Sequence, residues 1–357
     1  MTEQTDPADP ARRDLLLGAG IGAAALGMLT LSAEALLAQA TPEWDKTFPR
    51  SARVDHRKVA FTNRYGIALV GDLYLPKENR GALPALAIAG PFGAVKEQAA
   101  GLYAQEMAER GFAALAFDPS YIGESGGVPR YVASPDINTE DFMAAVDFLG
   151  LEAGIDRERI GMIGICGFGG MALNAAAPDK RVKAVAVTSM YDMSRVMAHG
   201  YNDAMSGEAR QAALEAMSRQ RWEDAASEAA PERAGGLPDS LEGIDNPVIA
   251  MYHGYYKTDR GYHPRALNSN GGWNTTSPLS FMNMPQLTYL DEISPRPALI
   301  IAGSEAHSRY FSADAYARAA EPKELVIIEG ADHVDLYDRK EIIPFDRLQG
   351  FFETHLA

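Results

Sequence analysis

From Val59 to Pro76 the sequence VAFTNRYGIALVGDLYLP alternates apolar and polar side chains and reverses at Gly66. That is the pattern of an antiparallel hairpin with one buried face. Beyond it the alternation gives way to short apolar runs: PALAIAGPFG, AALAFDPSYIGES, RIGMIGI, RVKAVAVTSM, PALIIAGS and KELVIIEG. Each predicts a buried strand. Between them lie segments with helical spacing. AAGLYAQEMAERGF closes on Gly111 as a C-cap, INTEDFMAAVDFLGL has Thr139 as its expected N-cap, and GMALNAAA follows the third of these strands. Apolar strands alternating with helices predict a mostly parallel sheet covered on both faces. The C-terminal IPFDRLQGFFETHLA predicts an amphipathic closing helix.

Two stretches break the alternation. Residues 1–40 contain Arg12-Arg13, a Gly/Ala/Leu run and Ala38-Gln39-Ala40, an A-x-A-type cleavage site. This reads as a secretory signal of twin-arginine type, with a mature chain from about Thr41 and a periplasmic or secreted protein. The run is short, weakly apolar and carries Glu34, so no stable membrane span is expected once it is removed. The second stretch, about 193–294, is first polar and helical (SGEARQAALEAMSRQRWEDAASEAA), then rich in aromatics, Gly, Asn and Pro. It predicts a cap inserted over one end of the sheet within a single 41–357 domain.

The 357 residues are 46% hydrophobic and 23% charged, with a formal net charge of -15. Such an acidic chain does not neutralise phosphates in bulk, which argues against nucleic acid as a partner. The one cysteine, Cys166, has no partner for an internal disulfide; it is either buried and inert or kept for chemistry. The histidines are scattered, with no metal-ligand spacing and no phosphate or dinucleotide loop, so neither metal nor cofactor is expected.

GESGG, Gly123 to Gly127, satisfies a G-x-S-x-G pattern, but Val128-Pro129 follows where a helix is needed. Ser125 is therefore read as part of a turning loop. The better strand–turn–helix is IGMIGICGFGGMALNAAAPDK, Ile160 to Lys180, which sets Cys166 at the end of the strand and before the helix. At such a turn a thiol is presented by strained backbone, the amide of Gly167 points to the same spot, and the helix N-terminus lowers the thiol pKa. Phe168 stands where a small residue is wanted. Two registers follow: a nucleophile at 166, with room supplied by Gly167, Gly169 and Gly170, or a nucleophile position at 168 that this chain has lost.

The hairpin, the strand–helix units and the segments DLYLP, VKEQAAGLYAQEMAERGF, FDPSYIGESGG, DRERIGMIGICG, RVKAVAVTSMYDM, AHSRYFS and GADHVDLYD resemble the α/β-hydrolase fold. More narrowly they resemble its dienelactone-hydrolase-like branch, some members of which use a cysteine. The resemblance implies a nucleophile–acid–histidine order and an ester, lactone or thioester substrate bearing an ester-like carbonyl. It places the base at His333, after the last strand. The acid slot after PALIIAG holds Ala306, which leaves Glu305 with a shifted loop, or Asp192 after the preceding strand. The second oxyanion donor is expected at Phe92, because Pro91 has no N–H. Phe168 and the cap aromatics Tyr255, Tyr256 and Trp273 are expected to line the substrate pocket, or the aromatics form the cap's own small core. Lys96-Glu97-Gln98 either pins the Phe92 loop or opens a solvated helix. The rival to an esterase is a binding protein or a non-hydrolytic enzyme on the same fold.

Overall fold

The computed structural model describes residues 44–78 and 81–357. The expected signal segment, 1–40, lies outside them. Among the described residues no helix is long and apolar enough to cross a membrane.

The hairpin forms where the alternation predicts. β1 (Val54–Thr62) pairs antiparallel with β2 (Ala68–Pro76) around Gly66, whose φ of +78° suits glycine. β1 alternates in burial because it is an edge strand, whereas β2 is buried on both faces along most of its length. The apolar runs become β3 (Leu83–Ala89), β4 (Ala113–Phe117), β5 (Ile155–Ile165), β6 (Val182–Thr188), β7 (Ala298–Gly303) and β8 (Lys323–Ile328). The spatial order is β1-β2-β4-β3-β5-β6-β7-β8, with β2 antiparallel to its neighbours and every later pair parallel.

Helices cover both faces. α1 (Ala99–Glu109) and the closing helix α11 (Phe345–His355) share one apolar core with β3, β4 and β6. α2 (Pro135–Leu151), α3 (Gly167–Ala176) and α9 (Arg309–Arg318) share the other. Gly111 closes α1 with φ +98°. α2 starts earlier than expected. Ser134 caps it by accepting from the Ile137 amide, and Pro135 opens it, since proline at the first helical position forfeits an N–H that would be unpaired anyway. Thr139 is thus no cap; it lies inside the helix and donates to the Pro135 carbonyl at 2.6 Å.

Between β6 and β7 the chain leaves the sheet. This excursion contains α4 (Met193–His199), α5 (Gly207–Ala226), α6 (Pro247–Tyr256), α7 (Leu267–Asn270) and α8 (Pro278–Asn283). A two-residue ladder joins Arg233–Ala234 to Trp273–Asn274. α5 has no buried residue, while α6 delivers fully buried Tyr255 and Tyr256. The loops after β3, β5, β6, β7 and β8 open at the carboxyl ends of their strands, the end at which open parallel sheets bind ligands.

Candidate active site

β5 is fully buried from Ile160 to Ile165 and turns sharply into α3. Cys166 makes the turn with φ +56° and ψ −125°, a left-handed conformation that L-residues rarely adopt outside strained functional turns. A Cβ on Gly164 would come within 2.4 Å of the Phe168 carbonyl, and one on Gly170 within 2.3 Å of the Tyr191 carbonyl. On Gly167 it would meet the Phe92 Cβ at 2.6 Å, and on Gly169 the Met190 Cβ at 2.7 Å. These glycines let strand, helix and neighbouring loops pass closely. The strained residue is 166, not 168. Phe168 escapes the crowding because its side chain turns away into the core, between Phe142 and Phe92. It does not line the cavity over Cys166, which corrects its expected substrate role.

Phe92 and Gly167 meet beside the Cys166 turn, and Phe92, Cys166 and Tyr337 line one cavity. Burial pushes the thiol pKa up, opposed in part by nearby hydrogen-bonding groups, among them the Phe92 and Gly167 amides. The Phe92 loop is held from two sides. Asn268, from the cap, donates its Nδ2 to the Phe92 carbonyl at 2.8 Å and its backbone amide to Gly93 at 3.2 Å. Behind the loop, Lys96 is fully buried, with its ammonium 2.6 Å from Glu97, 3.0 Å from Asp118 and 2.5 Å from Glu124. Arg265 joins Glu97 and Asp45 at 2.7 Å each. Lys96-Glu97 is therefore an internal clamp rather than a solvated face. The three carboxylates around Lys96 are grouped closely enough to ligate a cation, but the lysine ammonium already occupies their centre.

On the opposite side sits His333, fully buried. Both ring nitrogens are engaged: Nδ1 with Ser308 Oγ at 2.5 Å and Nε2 with the Tyr337 hydroxyl at 2.8 Å. Burial, then the charge of His307, holds the His333 pKa well below the ordinary imidazole range. Burial takes His307 down to about 4. Neither expected acid reaches the base. Glu305 is exposed and bonds Ser304; Asp192 is buried but caps α4 by accepting from the Arg195 amide at 2.9 Å. The expected acid assignments are corrected accordingly: a neutral serine, two residues past the Ala306 slot, takes the carboxylate's place. Asp335 and Asp338 pair with Arg260 instead.

The cavity over Cys166 encloses about 180 Å³. Tyr191, Tyr252, Tyr256, Tyr337 and Asn268 supply its polar edges, Met193 and Leu237 apolar ones, and none of the lining side chains among the described residues is charged. Of the expected pocket aromatics only Tyr256 lines it. Tyr255 packs behind, against Tyr256 and Tyr337, and Trp273 lies on the Phe92 ring with centroids 4.3 Å apart. The Tyr256 hydroxyl is buried near Asn268 and Tyr337, yet makes no well-aligned hydrogen bond with either. Tyr191 and Tyr252 gather around His307 Nε2, Tyr191 by a short hydrogen bond. Larger open clefts, such as one of about 640 Å³ beside Asp192 and Arg318, do not contain Cys166. Ser125 is buried in a loop, donating to the Asp118 carbonyl and accepting from the Val70 amide, which accounts for it structurally.

Sequence reasoning passed over Ser308, Asn268 and Tyr337. Tyr337 stands four residues after His333, close enough in the chain to fold back onto it. Nothing in the local sequence singles out Ser308 or Asn268.

A family model described as X-Pro dipeptidyl-peptidase (S15 family) matches residues 65–330. PA2218 of Pseudomonas aeruginosa is 64% identical over 326 residues, 89% of this chain and 85% of that one. Its crystal structure, covering 89% of this chain and 98% of that one, superposes with a TM-score of 0.87. YcjY of Escherichia coli is 34% identical over 315 residues, 84% of this chain and 99% of that one. The polyketide transferase grgF of Penicillium sp. is 28% identical over 320 residues, 87% of this chain and 98% of that one. Its structure, described as an alpha/beta hydrolase, covers 85% of this chain and 99% of that one, with a TM-score of 0.66 at 24% identity, a likeness of fold.

Proposed function

The chain belongs to the X-Pro dipeptidyl-peptidase (S15) family, a hydrolase-type enzyme of the α/β-hydrolase superfamily, and from that premise we propose that it cleaves small, neutral carboxylic esters, lactones or thioesters through a thioester on Cys166. The observation that carries this reading is a strained, positive-φ turn residue beside which Phe92 and Gly167 meet, so that their amides are placed to act at the Cys166 sulfur. An oxygen bonded to a carbon attached there falls among donors fixed in advance. One such donor is worth roughly 2.7–4 kcal/mol at the transition state.

The steps balance as follows. The sulfur adds to the carbonyl carbon, the thiol proton ends on His333, and the carbonyl oxygen takes negative charge at the two amides. Collapse expels the leaving alcohol or thiol, which takes the proton from the imidazolium, and leaves an acyl–sulfur bond. Water, deprotonated by His333, then releases the acid and restores the thiol. The resemblance to dienelactone-hydrolase-like proteins, some with a cysteine nucleophile, supports the same assignment. The cavity argues for a small neutral acyl group. Its volume of about 180 Å³ amounts to roughly six water volumes. Among the described residues it has no lining carboxylate to meet the free amino terminus that a dipeptidyl-peptidase substrate presents, which favours an ester or thioester over a peptide.

The transferase name of the Penicillium relative favours a second reading, in which the acyl group passes to an alcohol or thiol instead of water. Both begin with the same acyl-enzyme. Incubation with short-chain p-nitrophenyl esters and acyl thioesters, followed by peptide mass analysis, is expected to show one acyl group on Cys166. The Cys166→Ala protein is expected to lose turnover at nearly unchanged Tm, because exchanging a thiol for hydrogen removes little buried area. Full activity of Cys166→Ala on any ester that the wild type cleaves ends the thiol reading and favours a binding or non-hydrolytic role.

Export is proposed on Arg12-Arg13 and Ala38-Gln39-Ala40. Changing both arginines to lysine is expected to leave precursor in the cytoplasm; normal processing after Ala40 in a strain lacking the twin-arginine route overturns it.

A further inference from the structure

We propose that Tyr337 is a catalytic residue whose phenol carries the proton between the Cys166 thiol and His333, replacing direct contact of thiol and imidazole. The inference rests on the Cys166 reading and adds the path by which its base acts.

The geometry leaves His333 no free nitrogen. Ser308 Oγ takes Nδ1 at 2.5 Å, and the Tyr337 hydroxyl takes Nε2 at 2.8 Å. That same hydroxyl faces the cavity that Cys166 lines, on the side from which His333 would otherwise have to reach the sulfur. In the relay the donors run in one direction: the S–H would donate to the phenol oxygen, while the phenol O–H donates to Nε2 and the Nδ1–H donates to Ser308 Oγ. This ordering selects the imidazole tautomer with its proton on Nδ1, assigned here from the network.

Tyr337 is built into position rather than left at a loop tip. It lies in the short helix α10 (Asp335–Asp338). Arg260, from the cap, grips that turn: its Nε and Nη2 each donate to an Asp338 carboxylate oxygen at 2.8 Å, and Nη2 also donates to the Val334 carbonyl at 3.1 Å. Tyr103 donates to the Leu336 carbonyl at 2.7 Å. The Tyr337 ring is fully buried and meets Tyr255 and His333 edge-to-face, with centroids 5.2 and 5.3 Å away.

The surroundings explain why a neutral relay suits this site. Among the described residues no charged side chain lines the cavity, and Nδ1 meets Ser308 rather than a carboxylate that would stabilise an imidazolium. A resting thiolate–imidazolium pair would be desolvated with little compensation. Burial raises the thiol and phenol pKa values and lowers that of the imidazole, which keeps all three neutral at rest. The balance is one proton moved in two hops. As the C–S bond forms, the S–H proton passes to the phenol oxygen while the phenol proton passes to Nε2. No phenolate accumulates and no oxidant or co-reactant is needed. Collapse of the intermediate returns the proton along the same path to the leaving group.

The test uses the full chain and an ester shown to be turned over by the wild type. Tyr337→Phe is expected to keep its Tm and KM within about twofold, while the acylation rate falls about 10²–10⁴-fold, the range for general acid–base groups. A proton inventory of wild-type acylation in H₂O–D₂O mixtures is expected to bow, with two protons in flight, and needs no variant. Tyr337→Phe acylating within threefold of the wild type, or a strictly linear wild-type inventory, overturns the relay. Loss of activity in Cys166→Ala together with an active Tyr337→Phe removes only the relay; an active Cys166→Ala removes the thiol reading itself.

Discussion

The two sides of the cavity follow different rules. On the nucleophile side, backbone does the work: a left-handed turn residue, glycines that admit close approach, and two amides whose positions follow from strand, loop and helix. On the base side, side chains from distant segments do it: Ser308 after β7, His333 and Tyr337 after β8, and Arg260 from the cap. Backbone geometry tolerates few substitutions and leaves a readable trace of glycines. Side-chain networks can swap a carboxylate for a serine and insert a phenol while the helices and strands stay in place.

The contrast can be broken most forcefully at Phe168. If the nucleophile side depends on tight packing, Phe168→Ala is expected to cost about 3–5 kcal/mol of stability, read by denaturant unfolding, because a wholly buried ring is lost. A cost below 1 kcal/mol would mean that the ring is not an integral part of this core. Next in size is Gly167→Ala. Its Cβ would meet the Phe92 Cβ at 2.6 Å and the Met193 sulfur at 2.9 Å, forcing an oxyanion amide aside. Turnover is expected to drop by roughly 10²–10³-fold. Retention of full turnover would show that these amides are not the working donors.

Apart from Tyr337, smaller effects are expected from the base side, and they are titratable. The folded-state pKa values of His307 and His333 lie below the ordinary 6.5. The unfolded chain therefore takes up protons that the folded one refuses, and stability present above pH 6.5 is lost as pH falls toward 4. Urea midpoints measured between pH 7 and 5 should decline, and His307→Gln should flatten the slope; an unchanged slope would put the effect elsewhere. Ser308→Asp sets a carboxylate on Nδ1 and is expected to raise the acid limb of the pH–rate profile by about one unit. The smallest effect belongs to Glu305→Ala. The side chain is exposed and accepts from Ser304 at a distance from the imidazole, so turnover should stay within twofold. A tenfold loss would restore Glu305 as the acid and make the base side conventional.

The apolar runs, the hairpin at Gly66 and the Gly-x-Cys-Gly turn were legible in the sequence because each is a short-range pattern with a local cause: burial on two faces, a positive φ, or close approach of backbone. Thr139 was misread as a cap because Pro135, four residues upstream, opens the helix and Ser134 caps it. Phe168 looked like an obstruction because sequence spacing does not say to which side of a turn a ring points. Lys96-Glu97 read equally well as solvated, since nothing nearby shows that Asp118, Glu124 and Arg265 arrive around it.

By itself, then, the sequence determined the parallel sheet with its antiparallel edge, the break in the strand–helix alternation between β6 and β7, and a lone thiol at the end of the central strand. The tertiary structure decided which groups surround that thiol. Ser308 in place of a carboxylate, Tyr337 between sulfur and imidazole, and Asn268 on the Phe92 loop are meetings of segments up to 176 residues apart along the chain. Short-range patterns record what a residue needs from its own backbone. Partners across such distances are set by how the strand ends and the cap pack together, and one chain's order of residues holds no local mark of that.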